Sequence, residues 1–246
     1  MSMSLGSTSI GSLYLGSSKI GEAYFGSVKV YPSTPDPYNP LHLPSYTIRL
    51  LYADGVVPTF FYGTGVQVSS SPNVWDLTKT SSDWSGLLYT HSASACGELL
   101  KVLGANTAGV TDMSDMFCAC YSLNEVCLFD TSSVTNMSNM FFTCDNITTL
   151  PTYDTHNVTD MRYMLAYCHR LAVIPLFNTG SVQYADSAFY YMRYVETGSL
   201  ALYNQMSTQA NPPSSYTNCF ANCGYDTVTG AAELSQIPSS WGGTGS

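Results

Sequence analysis

Rows of chain beginning at Val110, Val134, Val158 and Val182 repeat one pattern at an interval of 24 residues. A period of that length is the signature of supersecondary units that bury their apolar faces only by stacking on one another. In the first row Met113, Met116, Phe117 and Cys120 lie at i, i+3, i+4 and i+7; Met137, Met140, Phe141 and Cys144 match them, then Met161, Met164, Leu165 and Cys168. That spacing predicts one face of a helix. Thr111, Thr135 and Thr159, each followed by Asp112, Asn136 or Asp160, stand where caps of such helices belong. A second apolar set, Leu123, Val126 and Phe129, then Ile147, Leu150 and Tyr153, then Leu171, Ile174 and Phe177, predicts short parallel strands. Asp130-Thr131, Asp154-Thr155 and Asn178-Thr179 close the rows with side chains suited to turns. The expected fold is therefore an α/β solenoid, leucine-rich-repeat-like, each coil a short helix plus a short parallel strand.

The pattern decays in the fourth row, where Ala185 and Ala188 replace Met and Gly198 replaces the strand hydrophobe. A helical stretch from Leu200 to Met206 follows, and residues 216–223 resume the pattern seven residues out of register. Ala231–Gln236, Ile237-Pro238 and Trp241 read as the cap a repeat stack requires. Upstream, a second period of ten residues runs through Leu5, Leu15 and Phe25, with Tyr14 and Tyr24 beside them. Gly-Ser punctuation makes each unit strand, turn, strand. The expected order is a β-repeat attachment segment at 1–31, a Pro-rich linker at 32–44, a small β unit at 45–85 carrying Trp75 and Trp84, the repeats at 86–198 and a C-terminal cap at 199–246.

The segments "VTDMSDMFCACYSL", "VTNMSNMFFTCDNI" and "VTDMRYMLAYCHRL" resemble the BspA-type leucine-rich repeats of bacterial surface proteins. "LGSTSIGSLYLGSSKIGEAYFGSVKVY" and "GTGVQVSSSPNVWDLT" resemble modules in virion proteins of tailed phages of gut bacteria. The second resemblance implies a tail-fibre, head-fibre or baseplate-associated protein. It implies attachment to the particle through residues 1–31, with Leu5, Tyr14, Leu15, Tyr24 and Phe25 as contact residues and a homotrimer as one arrangement.

Of the 246 residues only 10% are charged, and the net charge is −9, the wrong sign for a phosphate backbone. No run of 18 apolar residues is present, so neither nucleic acid nor membrane insertion is an expected partner. No export signal is visible at the start, which favours assembly into a virion in the host cytoplasm over a bacterial surface adhesin, the alternative location being the cell surface. No catalytic residue, cofactor site or metal site is expected. Cys168-His169 has its thiol in the apolar column, the recurring carboxylates Asp112, Asp130, Asp154 and Asp160 fall at caps and turns, and the Cys and His spacings match no zinc site. A polysaccharide-acting enzyme, the third reading, would need closely paired carboxylates.

Tyr163, Tyr167, Tyr184, Tyr190, Tyr191 and Tyr194 exceed what the columns require and form the expected recognition surface for a host glycan or protein. Cys96, Cys120, Cys144 and Cys168 should stack as reduced core thiols. Thiol titration of the denatured, unreduced chain is expected to count eight free thiols; a count far below eight would overturn the reduced state.

Overall fold

The computed structural model describes residues 41–60, 63–88 and 96–246, together with the strand segments 14–15, 18–19, 23–25 and 28–31. The chain divides into two compact units, Met1–Asp36 and Pro37–Ser246. In the first, β1 (Tyr14–Leu15) pairs antiparallel with β2 (Ser18–Lys19), and β3 (Ala23–Phe25) with β4 (Val28–Tyr31). Tyr14, Leu15, Tyr24 and Phe25 thus sit in hairpin strands, whereas Leu5 lies outside the described residues.

The second unit opens on a five-stranded mixed sheet of order β6-β7-β5-β8-β9. Its members are β5 (Thr47–Tyr52), β6 (Thr64–Ser70), β7 (Asn73–Thr78), β8 (Leu99–Asn106) and β9 (Glu125–Val126). Alternation puts Ile48, Leu50 and Tyr52 inward along β5. On the outer face Arg49 grips Asp76 of β7 through two hydrogen bonds of 2.7 Å. β9 joins β8 in parallel, Val102 beside Val126, and so ties the sheet to the first repeat row.

The α/β solenoid of helix-plus-strand coils is not what the chain forms. In the second unit the regular structure among the described residues is this small β domain's mixed sheet, two α-helices, α1 (Ser199–Thr208) and α2 (Val228–Leu234), neither within the first three repeat rows, and a 3-10 turn at Ser239–Trp241. The predicted helices are runs of tight turns. Asp115, Ala119, Asn139, Thr143, Tyr163 and Tyr167 all have φ between 55° and 63°, a left-handed residue every fourth position, which no α-helix contains. Amides of Met116, Cys118 and Cys120 bond to carbonyls three residues back, at Met113, Asp115 and Phe117. Two successive four-residue turns thereby reproduce the i, i+3, i+4, i+7 inward pattern, and Met113, Met116, Phe117 and Cys120 are all fully buried.

The remaining amides cross to the next row. Met113, Asp115, Phe117 and Ala119 donate to Asn136, Ser138, Met140 and Phe142 at 2.8–2.9 Å, and the next row repeats the set onto Asp160, Arg162, Met164 and Ala166. Parallel bridges Asp112↔Asn136, Asn136↔Asp160 and Asp160↔Tyr184 mark the same stack. The expected caps change role. Thr135 and Thr159 hydroxyls donate to the Thr111 and Thr135 carbonyls one row back, while Asp112, Asn136 and Asp160 side chains each accept from the amide two residues on. The expected strand of each row survives only as β9 and a single bridge, Val173↔Thr197. Pro151 and Pro175 stand in those segments and have no N–H to give a ladder.

Inside the stack, Phe117 and Phe141 lie 5.4 Å apart and nearly parallel, as do Phe189 and Phe220 at 5.2 Å. Buried Thr107, Thr131 and Thr155 donate hydroxyls to the Asp130, Asp154 and Asn178 carbonyls of the following row. All eight cysteines are free, and the four column thiols are buried. Cys144 and Cys168 donate to the carbonyls of Phe117 and Phe141 at 3.1 Å. At the far end α1 is inserted into the register; Gly198 precedes it at φ 110°, where a Cβ would stand 2.5 Å from the Ile174 carbonyl oxygen. Trp241 then stacks on Tyr216 at 4.0 Å and receives the Phe220 amide on its carbonyl, closing the stack.

Left-handed backbone costs a β-branched residue on the order of 1 kcal/mol more than it costs Asn. Thr143, at φ 58°, is the β-branched member of a column that holds Asn222 three rows on. Thr143→Asn is expected to stabilise the protein by about 1 kcal/mol in urea unfolding; a loss of stability would show that this backbone carries no strain.

Candidate functional site

The turns decide which side chains face outward. In each row the left-handed residue sits at a turn tip; the residue before it faces outward in some rows, as Arg162 does, and is buried in others, as Ser114, Cys118 and Ala166 are. In the first row these tips carry Ser114-Asp115 and Cys118-Ala119; two rows on they carry Arg162-Tyr163 and Ala166-Tyr167, and one further Asp186-Ser187 and Tyr190-Tyr191. Stacking then brings rings from three consecutive rows together.

Tyr167 is the hub. Its ring centroid lies 5.6 Å from Phe142, 5.9 Å from His169, 5.5 Å from Tyr190 and 5.4 Å from Tyr191, mostly edge to face. Tyr163 joins through Phe142 at 6.1 Å and is 40% exposed. His169 also approaches Tyr191 at 5.8 Å. Four of the six expected tyrosines, Tyr163, Tyr167, Tyr190 and Tyr191, therefore form one surface. Tyr184 stands apart beneath the Arg162 guanidinium, 5.3 Å from its ring centre, and Tyr194 is 53% exposed with no ring partner among the described residues. Phe142, His169 and Arg193 complete the surface, though sequence reasoning did not single them out. Their signal was positional, since Phe142 and Tyr190 share one tip column, 48 residues apart.

Charge at this surface is paired. Arg193 lies over the Tyr191 ring at 5.6 Å and forms an ion pair with Asp226 at 2.6 Å. Arg162 holds Asp160 through its Nε and Nη2, the shorter contact 2.6 Å. His169 Nε2 and Asp145 Oδ1 are 3.9 Å apart, too long for a hydrogen bond, and His169 Nδ1 and Asp145 Oδ1 are buried without hydrogen-bond partners among the described residues. Desolvation and the neighbouring Tyr190 raise the Tyr167 hydroxyl above its ordinary pKa, so it stays protonated and able to donate at neutral pH. Beside Tyr163 a shallow cleft of about 230 Å³ is walled by Ser138, Asn139 and Arg162.

Residues 91–200 match a family described as "Mycoplasma protein of unknown function, DUF285". The match covers less than half of the chain and includes the repeat rows that carry the BspA-type resemblance, with which it is compatible; it lends nothing to the virion resemblance. No curated protein and no solved structure matches the chain.

Elsewhere the chemistry is structural. Burial pushes the Cys168 thiol up to about 12, and its Sγ points at a backbone carbonyl, so it is a poor nucleophile beside His169. No group of three His, Cys, Asp or Glu side chains among the described residues is arranged to hold a metal ion. No described helix is long and apolar enough to cross a membrane. A larger cleft of about 430 Å³ opens near Thr159, Gln183 and Asn211, but neither aromatic nor titratable side chains line it.

Because each ring contact contributes about 0.5–1.5 kcal/mol, Tyr167→Asn, which suits the backbone at φ 63°, is expected to cost about 1–2 kcal/mol in urea unfolding. Tyr194→Ser is expected to change stability by less than about 0.5 kcal/mol. Equal effects for the two would mean that Tyr167 is not the hub of a packed surface.

Proposed function

We propose that the chain is a non-enzymatic recognition protein of a phage virion, fixed to the particle through residues 1–31 and presenting its aromatic turn face to the host cell surface. One observation carries the recognition part. Tyr163, Tyr167, Tyr190 and Tyr191 cluster on the turns outside the fully buried columns, in excess of what the repeat pattern requires. Large rings with hydroxyl handles, held on rigid backbone, are what partner surfaces use as anchors. The carboxylates argue in the same direction: Asp112, Asp130, Asp154 and Asp160 accept hydrogen bonds from amides two residues on, a turn-building role. A second reading, a bacterial surface adhesin, is favoured by the family match over residues 91–200.

Immunogold labelling of purified particles is expected to decorate them at a fixed position. Particles without label, beside labelled bacterial cells, would overturn the virion reading in favour of the adhesin.

A further inference from the structure

Resting on the recognition reading, we infer that the ring surface and the cleft beside Tyr163 together form a subsite for a neutral saccharide chain. Shape is the first argument. The rings belong to three successive rows, Phe142 in one, Tyr163 and Tyr167 in the next, Tyr190 and Tyr191 in the third. Rows bonded backbone to backbone lie about 4.8 Å apart, so the strip is about 10 Å tall. Edge-to-face contacts hold the rings of successive rows together as one track. A stable protein partner would cover about 800 Å² of this chain; a track of this width suits an extended oligomer.

Charge is the second. The arginine at the cleft and the one over Tyr191 are each held by a carboxylate of this chain, Arg162 by Asp160 and Arg193 by Asp226, while Arg170, next to His169, is bonded to the Asn146 side-chain oxygen. An anionic polymer would have to break a pair to gain either of the first two. A neutral polymer gives up nothing.

Hydrogen-bonding capacity is the third. The cleft sets Ser138 and Asn139 beside the exposed Tyr163 ring, the combination of apolar face and polar edge that a pyranose offers in return. Asp145 keeps its Oδ1 buried, but the side chain as a whole is 47% exposed beside His169, which leaves its other carboxylate oxygen as the acceptor for a hydroxyl group.

The test is affinity electrophoresis of the full chain in gels holding galactomannan, dextran or yeast mannan, with polygalacturonate as the acidic polymer. At least one neutral polymer is expected to retard it, and more strongly than polygalacturonate. Tyr163→Asn with Tyr191→Asn, changes suited to left-handed backbone, should weaken binding about tenfold or more, a factor consistent with losing one or two ring contacts. Asn139→Gly, which leaves the turn geometry alone, should weaken it several-fold, so the inference does not hang on one variant's folding. Tyr225→Ser, exposed but outside the track, should bind as the parent does. No retardation by any neutral polymer overturns the inference, as does a preference for polygalacturonate, or equal losses in Tyr225→Ser. Binding of the same variants to host cells separates the two levels. Cell binding that the tyrosine changes abolish, with neutral polymers inert, removes the saccharide and leaves a protein partner; cell binding that they leave untouched removes the recognition reading itself.

Discussion

Backbone hydrogen bonds between rows govern everything else in the larger unit. Alternate amides, at Met113, Asp115, Phe117 and Ala119, each need a carbonyl 23 residues further on, while the amides between them are consumed in closing turns. Both sets are satisfied only if the backbone reverses every four residues, and the reversal places a residue in the left-handed region each time. The core follows as a consequence. With the amides spent in this way, Met, Phe and Cys at the turn junctions point inward and stack on their counterparts, as Phe117 does on Phe141. A single inserted residue inside a row would leave buried polar groups without partners, at a cost of about 1–3 kcal/mol each. The chain's one large insertion obeys this limit. Ala185, Ser187, Phe189 and Tyr191 still donate across, but to residues 30 further on, because the extra residues are gathered into the region of α1 and leave the bonded tips intact.

This explains what the sequence could reveal and what it could not. Column identity was legible, since Met113, Met116, Phe117, Cys120 and their equivalents are all inside. Local conformation was not, because two four-residue turns and one amphipathic helix bury the same positions. The residues that separate them were present. Asp115, Asn139, Asn218 and Asn222 recur at positions of positive φ, where Asn and Asp are favoured, and Pro151 and Pro175 argued against strands. The stretch from Leu99 to Asn106, which falls within the expected repeats, is an eight-residue strand bonded to β5. Long-range pairing of that kind leaves little trace in local periodicity.

The ring surface was half legible for a related reason. An excess of tyrosine over the column pattern can be seen in one row at a time, and it found Tyr163, Tyr167, Tyr190 and Tyr191. Neighbours that belong to the surface only through stacking, Phe142 from the row before and Arg193 over Tyr191, need the inter-row register to be known. Tyr184 shows the converse. It shares the composition of the cluster but stands in the bridge column, where Arg162 covers it.

The fold thus separates two sets of positions with different demands. Inward columns must keep size and shape from row to row, since close-packed interiors tolerate little change of volume. The left-handed tip residues change chemistry from row to row, from Asp115 to Asn139 to Tyr163 and from Ala119 to Thr143 to Tyr167. A partner site can therefore be written on the tips without disturbing the core. Its electrostatics follow from the same economy of charge. The chain carries −9 overall, yet at physiological ionic strength that charge is screened beyond about 8 Å, and Arg162 and Arg193 are paired locally. Attraction at this surface must then come from short-range ring contact and hydrogen bonding, which act only once a ligand is already seated against the strip.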